Sequence, residues 1–185
     1  AFGGTRKSEA RGLRWRDIDP ATGDVYIQKV SKFVNHKGWL YTDPKTKGSR
    51  RKLELDPTID TFGMLVGLRV IKNKELPDGQ TVDENDLIFT YPDGKVWGDK
   101  YIKNRFDELL ADAGITRKGI NIHTLRHTYA TLNIQHDDIK NVSRTLGHSK
   151  VSTTYDIYSH AIAGSGRKAS SKFVEAIEKA KENVS

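Results

Sequence analysis

The chain has 185 residues, enough for one domain with a sizeable core and too few for two comfortable ones. Hydrophobic residues make up 36% and charged residues 30%, and cysteine is absent. These figures exclude a disulfide scaffold and a zinc–thiolate site, and make a reducing cytosol the default. No apolar run reaches the length needed to cross a bilayer. The net charge of +7 with a pI near 9.5 points toward a polyanionic partner, most commonly nucleic acid. The charge is clustered, with Lys45, Lys47, Arg50, Arg51 and Lys52 in one group and Arg11, Arg14 and Arg16 in another.

In chain order, Ala10 and Leu13 are spaced for one side of a short helix from Arg6 to Trp15, ended by Asp17, Asp19 and Pro20. A turn through residues 21–24 leads into an alternating strand over 25–30. Asn35-His36-Lys37-Gly38 reads as a hairpin connection into Trp39-Leu40-Tyr41-Thr42, and a turn at 44–49 precedes a strand at 51–55. Asp56-Pro57-Thr58 opens a helix running to about Lys74, because proline fits a first helical turn. A loop covers 76–86 and a short strand 87–90, and further helices fall near 99–113, 124–135, 137–146 and 151–158. The expected fold is α+β, mainly helical, with a small three-stranded antiparallel sheet near the N-terminus. Residues 163–166 have linker composition, and Phe173, Val174, Ile177 and Ala180 give the tail a helical apolar face.

The stretch richest in chemistry is His123-Thr124-Leu125-Arg126-His127, then Leu146-Gly147-His148, then Tyr158. His123 and His127, four residues apart, could face one zinc ion. The Glu of His-Glu-x-x-His is missing, however, and an arginine between the histidines repels a cation. A metal-dependent phosphodiesterase would need a carboxylate-rich site, which the sequence does not offer. A phosphate grip suits these residues better. Arginine presents a planar, permanently charged fork to two phosphate oxygens. Fixed cationic donors stabilise the charge that phosphodiester attack builds, and a tyrosine hydroxyl can form a covalent intermediate.

In these elements the chain resembles the catalytic domain of the tyrosine recombinase (phage integrase) family, and within it the integrases of prophages and conjugative transposons. The elements are Gly4-Thr5-Arg6-Lys7-Ser8-Glu9, a lysine in the 44–52 turn, His123 to Arg126, Leu146-Gly147-His148 and Tyr158, in the family's order and over nearly the whole chain. The resemblance implies that Arg6 and Arg126 grip the scissile phosphate, and that Lys45 protonates the departing 5′ oxygen. It gives His123 the tyrosine proton or a phosphate hydrogen bond, and has His148 bond a nonbridging oxygen. Tyr158 would become a 3′-phosphotyrosine. Lys47 is the alternative to Lys45, and Tyr155 the competitor of Tyr158. Glu9 is expected to orient Arg6, His127 to act in a structural or supporting capacity, and His36 and His136 to lie on the surface; His160 is left open. Trp15 and Trp39 fit core filling better than DNA contact. Arg126→Ala is expected to abolish cleavage and leave the fold intact.

The family resemblance further implies that residues 1–162 form a catalytic domain truncated at its N-terminal edge, without core-binding and arm-binding domains. Residues 163–185 would be a linker and a helix exchanged between protomers. The expected activity is site-specific DNA recombination through a Holliday junction, with no cofactor, metal or ATP. The partners implied are double-stranded DNA, a homo-tetramer on it, and an excisionase-type directionality factor, with no membrane. The location would be cytoplasmic and nucleoid-associated during recombination. The competing readings are type IB topoisomerase-like relaxation and a DNA-binding module without activity.

Overall fold

The computed structural model describes residues 3–44, 47–55 and 61–162. Lys45, the expected helix entry at 56–58 and the tail from 163 lie outside the described residues. The side chains of Lys47 and His160 do so as well.

Six helices and four short strands make up the described fold, which is α+β and mainly helical as expected. The elements are α1 (Lys7–Ala10), β1 (Val25–Ile27), β2 (Val30–Val34), β3 (Gly38–Thr42), β4 (Arg51–Leu53), α2 (Thr61–Glu75), α3 (Asp99–Asp112), α4 (Ile122–Asn133), α5 (Ile139–Leu146) and α6 (Val151–Ile162). Short 3-10 turns occupy Trp15–Asp17 and Lys47–Ser49.

The strands pair as two antiparallel ribbons rather than one three-stranded sheet. β1 pairs with β4, Val25 opposite Leu53, and β2 with β3, Val30 opposite Thr42. The single strand expected over 25–30 is thus two strands with different partners. The break coincides with a close backbone crossing, since a Cβ on Gly12 would lie 2.7 Å from the Lys29 carbonyl oxygen. The same crossing shortens the expected first helix. After Ala10 the chain turns, and Leu13 and Arg14 run beside 86–88 before the 3-10 turn at Trp15–Asp17, with Ile88 N–H donating to Leu13 O and Trp15 N–H to Asp86 O. Long-range pairing overrides local helical spacing here. Residues 87–90 make isolated bridges to Arg14 and Val96 instead of a strand.

Two apolar clusters hold the chain. One joins Leu13, Trp15, Val25, Ile27, Leu53, Val82 and Ile88 beneath the β1–β4 ribbon, so Trp15 is a core residue. The other joins Ala130 and Ile134 of α4, Val142 and Leu146 of α5, and Tyr158 of α6. The second cluster fixes α4, α5 and α6 against one another, and the motif residues sit along its edge.

Candidate active site

Three helix ends build the site. The first is the start of α1, where the Glu9 side chain turns back to accept from the Arg6 backbone N–H at 2.7 Å, half of a capping box. The same carboxylate takes Arg6 Nη1 at 2.8 Å, so Glu9 orients Arg6 as its position in the motif implied.

The second is the start of α4. Asn121 Oδ1 accepts from His123 N–H at 2.9 Å while Asn121 N–H donates to Thr124 Oγ1 at 3.1 Å. This reciprocal cap fixes where the helix begins and therefore the rotational setting of His123, Arg126 and His127. Arg126 and Ala130, four residues apart, form its buried face, which Ile134 at the C-cap continues.

The third is the end of α5, which Gly147 closes in the left-handed conformation at φ +67°. Gly147 N–H bonds Arg144 O at 2.9 Å and His148 N–H bonds Ser143 O at 3.1 Å, a Schellman arrangement. A helix end leaves its last carbonyls without intrahelical donors. Here three successive ones each accept from a different arginine. Thr145 O takes Arg51 Nε. Leu146 O takes Arg126 Nη2 at 2.7 Å, and Gly147 O takes Arg6 Nη2 at 3.4 Å. Positive charge is favourable at this end of a helix dipole.

Arg126 is 7% exposed and also donates through Nη1 to Gly4 O at 2.5 Å. Burial, then the nearby Arg6, pushes its pKa down to about 10, so it stays protonated at neutral pH. Its Nη2 lies 3.0 Å from Nε2 of His148. A guanidinium only donates, so His148 accepts at Nε2 and carries its proton on Nδ1, which donates to Thr154 Oγ1 at 2.7 Å. Burial first, then the charges of Arg126, Arg6 and Arg51, lowers His148 to about 4. The imidazole is therefore neutral at pH 7. Arg6, Lys32, Ser49, Gly147 and His148 line an open cleft of about 510 Å³.

Tyr158 and Thr154 stand one turn apart on the buried face of α6, at 3% and 0% exposure. Tyr158 Oη lies 2.9 Å from His127 Nδ1. Burial raises the phenol's pKa, with the Arg126 charge pulling the other way. Tyr155 is 56% exposed and turned to solvent. His123 is exposed, its ring centre 6.2 Å from that of His127. Burial, then the charges of His127 and Arg126, lowers its pKa. His36 and His136 are exposed.

The structure thus brings together Arg6, Arg126 and His148, sets Tyr158 on the adjoining helix, and places His123 at the rim. Sequence reasoning underrated three residues. Arg51, grouped with the basic surface cluster, is in fact buried and grips both Glu9 oxygens at 3.1 and 2.9 Å. Its alternation with Leu53, two residues on along β4, was the signal the sequence offered. Thr154 holds His148, and His127 contacts the tyrosine. Much of the remaining clustered charge is paired as well, Arg11 with Asp99, Arg50 with Asp43, and Lys52 with Asp24 and Glu54.

The phage integrase family model matches residues 2–164, and the chain belongs to that family. It is 31% identical over 176 residues to the XerC-like tyrosine recombinase of Caldanaerobacter subterraneus subsp. tengcongensis, a match covering 88% of this chain and 44% of that protein. It is 26% identical over 165 residues to the ICEBs1 integrase of Bacillus subtilis (strain 168), covering 85% and 42%. The chain therefore spans less than half the length of these relatives. Among solved structures, its fold matches the Tn1549 transposon integrase in complex with a circular intermediate DNA. The TM-score is 0.73 at 21% identity, over 93% of this chain and 55% of that one. XerH recombinase bound to its difH substrate matches with a TM-score of 0.61 at 26% identity, over 85% and 39%.

Proposed function

We propose that this chain is the catalytic portion of a site-specific DNA recombinase that cleaves and rejoins strands through a 3′-phosphotyrosine. The observation that carries this reading is the convergence of Arg6, Arg126 and His148 on the end of α5, with Tyr158 on the next helix. Phosphodiester attack places negative charge on the nonbridging oxygens, and the two guanidiniums supply fixed positive charge where it develops. Tyr158 Oη attacks phosphorus, forming an Oη–P bond as the P–O5′ bond breaks. Lys45 protonates the departing 5′ oxygen. The linkage keeps the energy of the original phosphodiester, so a 5′ hydroxyl from a second strand reverses it without ATP. Two such rounds on paired sites pass through a Holliday junction, which calls for a homo-tetramer on two duplexes. An excisionase-type partner would set direction, and the enzyme would work at the nucleoid.

The test is a pool of nicked suicide duplexes with randomised sequence, with the product resolved by denaturing electrophoresis. A covalent protein–DNA band that survives EDTA and disappears in Tyr158→Phe is expected. A band formed equally by Tyr158→Phe would remove Tyr158 as nucleophile. Relaxation of a plasmid bearing no specific site would favour topoisomerase-like chemistry instead.

A further inference from the structure

Thr154 is fully buried although its neighbours Thr153 and Tyr155 are exposed. A helical threonine commonly turns its hydroxyl back to the carbonyl four residues earlier. Thr145 on α5 does so, with Oγ1 donating to Asn141 O at 3.1 Å. Thr154 directs Oγ1 out of its own helix, to Nδ1 of His148 at 2.7 Å.

The Schellman turn fixes the backbone of His148 but not its ring. A histidine's χ2 is a soft torsion, so the ring is aimed by whatever its two nitrogens bond. Those partners are Arg126 at Nε2 and Thr154 at Nδ1. A phosphate treats the two contacts differently. Nε2 cannot accept from Arg126 and donate to a phosphate oxygen at once. The Arg126 contact must therefore give way, whereas Nδ1–H donates to Thr154 in the neutral ring and in the imidazolium alike.

We infer that Thr154 is a positioning residue, which holds His148 so that Nε2 meets a nonbridging phosphate oxygen once Arg126 has let it go. The inference rests on the phosphotyrosine reading above and adds to it a side chain that touches no reacting atom. The charged groups acting on the ring are Arg126 of α4, Arg6 and Glu9 of the α1 turn, and Arg51 of β4. The three arginines oppose an imidazolium, and Glu9 and the acceptor at Nδ1 favour it. Thr154 and Tyr158 also stand one turn apart on the buried face of α6. Seating the nucleophile and aiming the histidine are thus one event: α6 brings Thr154 to His148 as it docks Tyr158 against α4 and α5.

Three variants test the assignment. Thr154→Ser keeps the hydroxyl, and Thr154→Val keeps the shape and loses it. Thr154→Ala replaces the valine variant if circular dichroism shows that one misfolded. Proton and nitrogen-15 NMR without DNA should show the His148 Nδ1–H protected from exchange in wild type and Thr154→Ser, and exchanging freely in Thr154→Val. An unprotonated Nδ1 in the wild type, or unchanged protection in Thr154→Val, overturns the proposal. The second measurement is the rate of adduct formation at saturating duplex, on a randomised pool of nicked suicide duplexes. Thr154→Val should be slower than wild type by about 10- to 100-fold, the range lost when a metal-bound histidine loses its outer partner. Thr154→Ser should recover most of that rate. In a His148→Gln background Thr154→Val should add less than about twofold, because its effect passes through the ring. Equal losses in the serine and valine variants, wild-type rates in Thr154→Val, or full additivity with His148→Gln overturns the proposal and leaves the phosphotyrosine reading intact. Absence of any adduct from the wild-type protein overturns both.

Discussion

Arg126 and His148 form a donor–acceptor pair in which the histidine is the acceptor, Nη2 to Nε2 at 3.0 Å. His148 is thereby held neutral, its pKa lowered from 6.5 to about 4, first by burial and then by three arginines. An unfolded chain binds the His148 proton near pH 6.5, whereas the folded one binds it only near pH 4. Folding stability from this group is therefore complete above about pH 6.5 and falls as the pH drops toward 4. The full difference corresponds to about 3 kcal/mol at most, and less for a partly exposed ring. Glu9 works in the same direction, because Arg51 and Arg6 overcome its burial and hold its carboxyl below the usual range. Urea midpoints measured from pH 4 to 7 should rise with pH, and the rise should be smaller in His148→Gln. An identical slope in the variant would show that His148 contributes nothing to it.

A phosphate on Arg126 reverses that proton balance. An anion beside His148 favours the imidazolium, and only a protonated Nε2 can donate to a phosphate oxygen. Duplex binding near pH 6 should therefore take up a proton. Calorimetry in two buffers of different ionisation enthalpy measures the uptake directly, and His148→Gln should abolish it.

Arg126 is also placed as a strut, and this bears on the expectation that its removal spares the fold. Its two guanidinium bonds to Gly4 O and Leu146 O tie the first residues to the end of α5. Arg126→Ala should lose about 2 to 4 kcal/mol of stability as well as cleavage, since each bond from a charged donor contributes about 1.5 to 3 kcal/mol before relaxation. Thermal denaturation is the measurement, and an unchanged Tm would restrict Arg126 to chemistry.

A side chain at Gly147 would be strained. Its φ of +67° is left-handed, and a Cβ there would lie 2.6 Å from Arg51 Nη1. Gly147→Ala should cost about 1 to 2 kcal/mol for the backbone alone, with more from the displaced guanidinium. A Tm within 1 °C of wild type, about the shift expected for only a few tenths of a kcal/mol, would contradict this account.

The Glu9–Arg51 pair is buried at both ends, with side chains 1% and 4% exposed. Arg51→Met should destabilise by about 3 kcal/mol, the lower end for breaking such a pair, because Arg6 still partners the carboxylate. Glu9→Gln combined with Arg51→Met should be less harmful than the sum of the two, which a double-mutant cycle from urea denaturation would reveal.

The sequence was most legible where function and local structure share a short segment. The spacing around His123, Arg126, His148 and Tyr158 marked α4, α5 and α6 to within a few residues, helped by the Asn121 cap of α4 and by the Asp138 cap and Gly147 stop of α5. The strands were less legible. Nothing local in Val25-Tyr26-Ile27-Gln28-Lys29-Val30 announces that its halves pair with different partners; the break coincides with the close approach of Gly12, distant in sequence. The same limit hid Arg51 and His127. A basic residue among other basics reads as surface, and a histidine beside a motif arginine reads as support. Only the packing of β4 against α5 and of α4 against α6 gives either one its contacts.

The end of α5 has a consequence for how this protein comes into being. Arg6, Arg51 and Arg126 belong to three remote stretches of chain, and their guanidiniums meet only on three neighbouring carbonyls of a fourth. A nascent or half-melted chain has the arginines but no place where they gather. The phosphate grip proposed above therefore forms only once all four stretches have packed together.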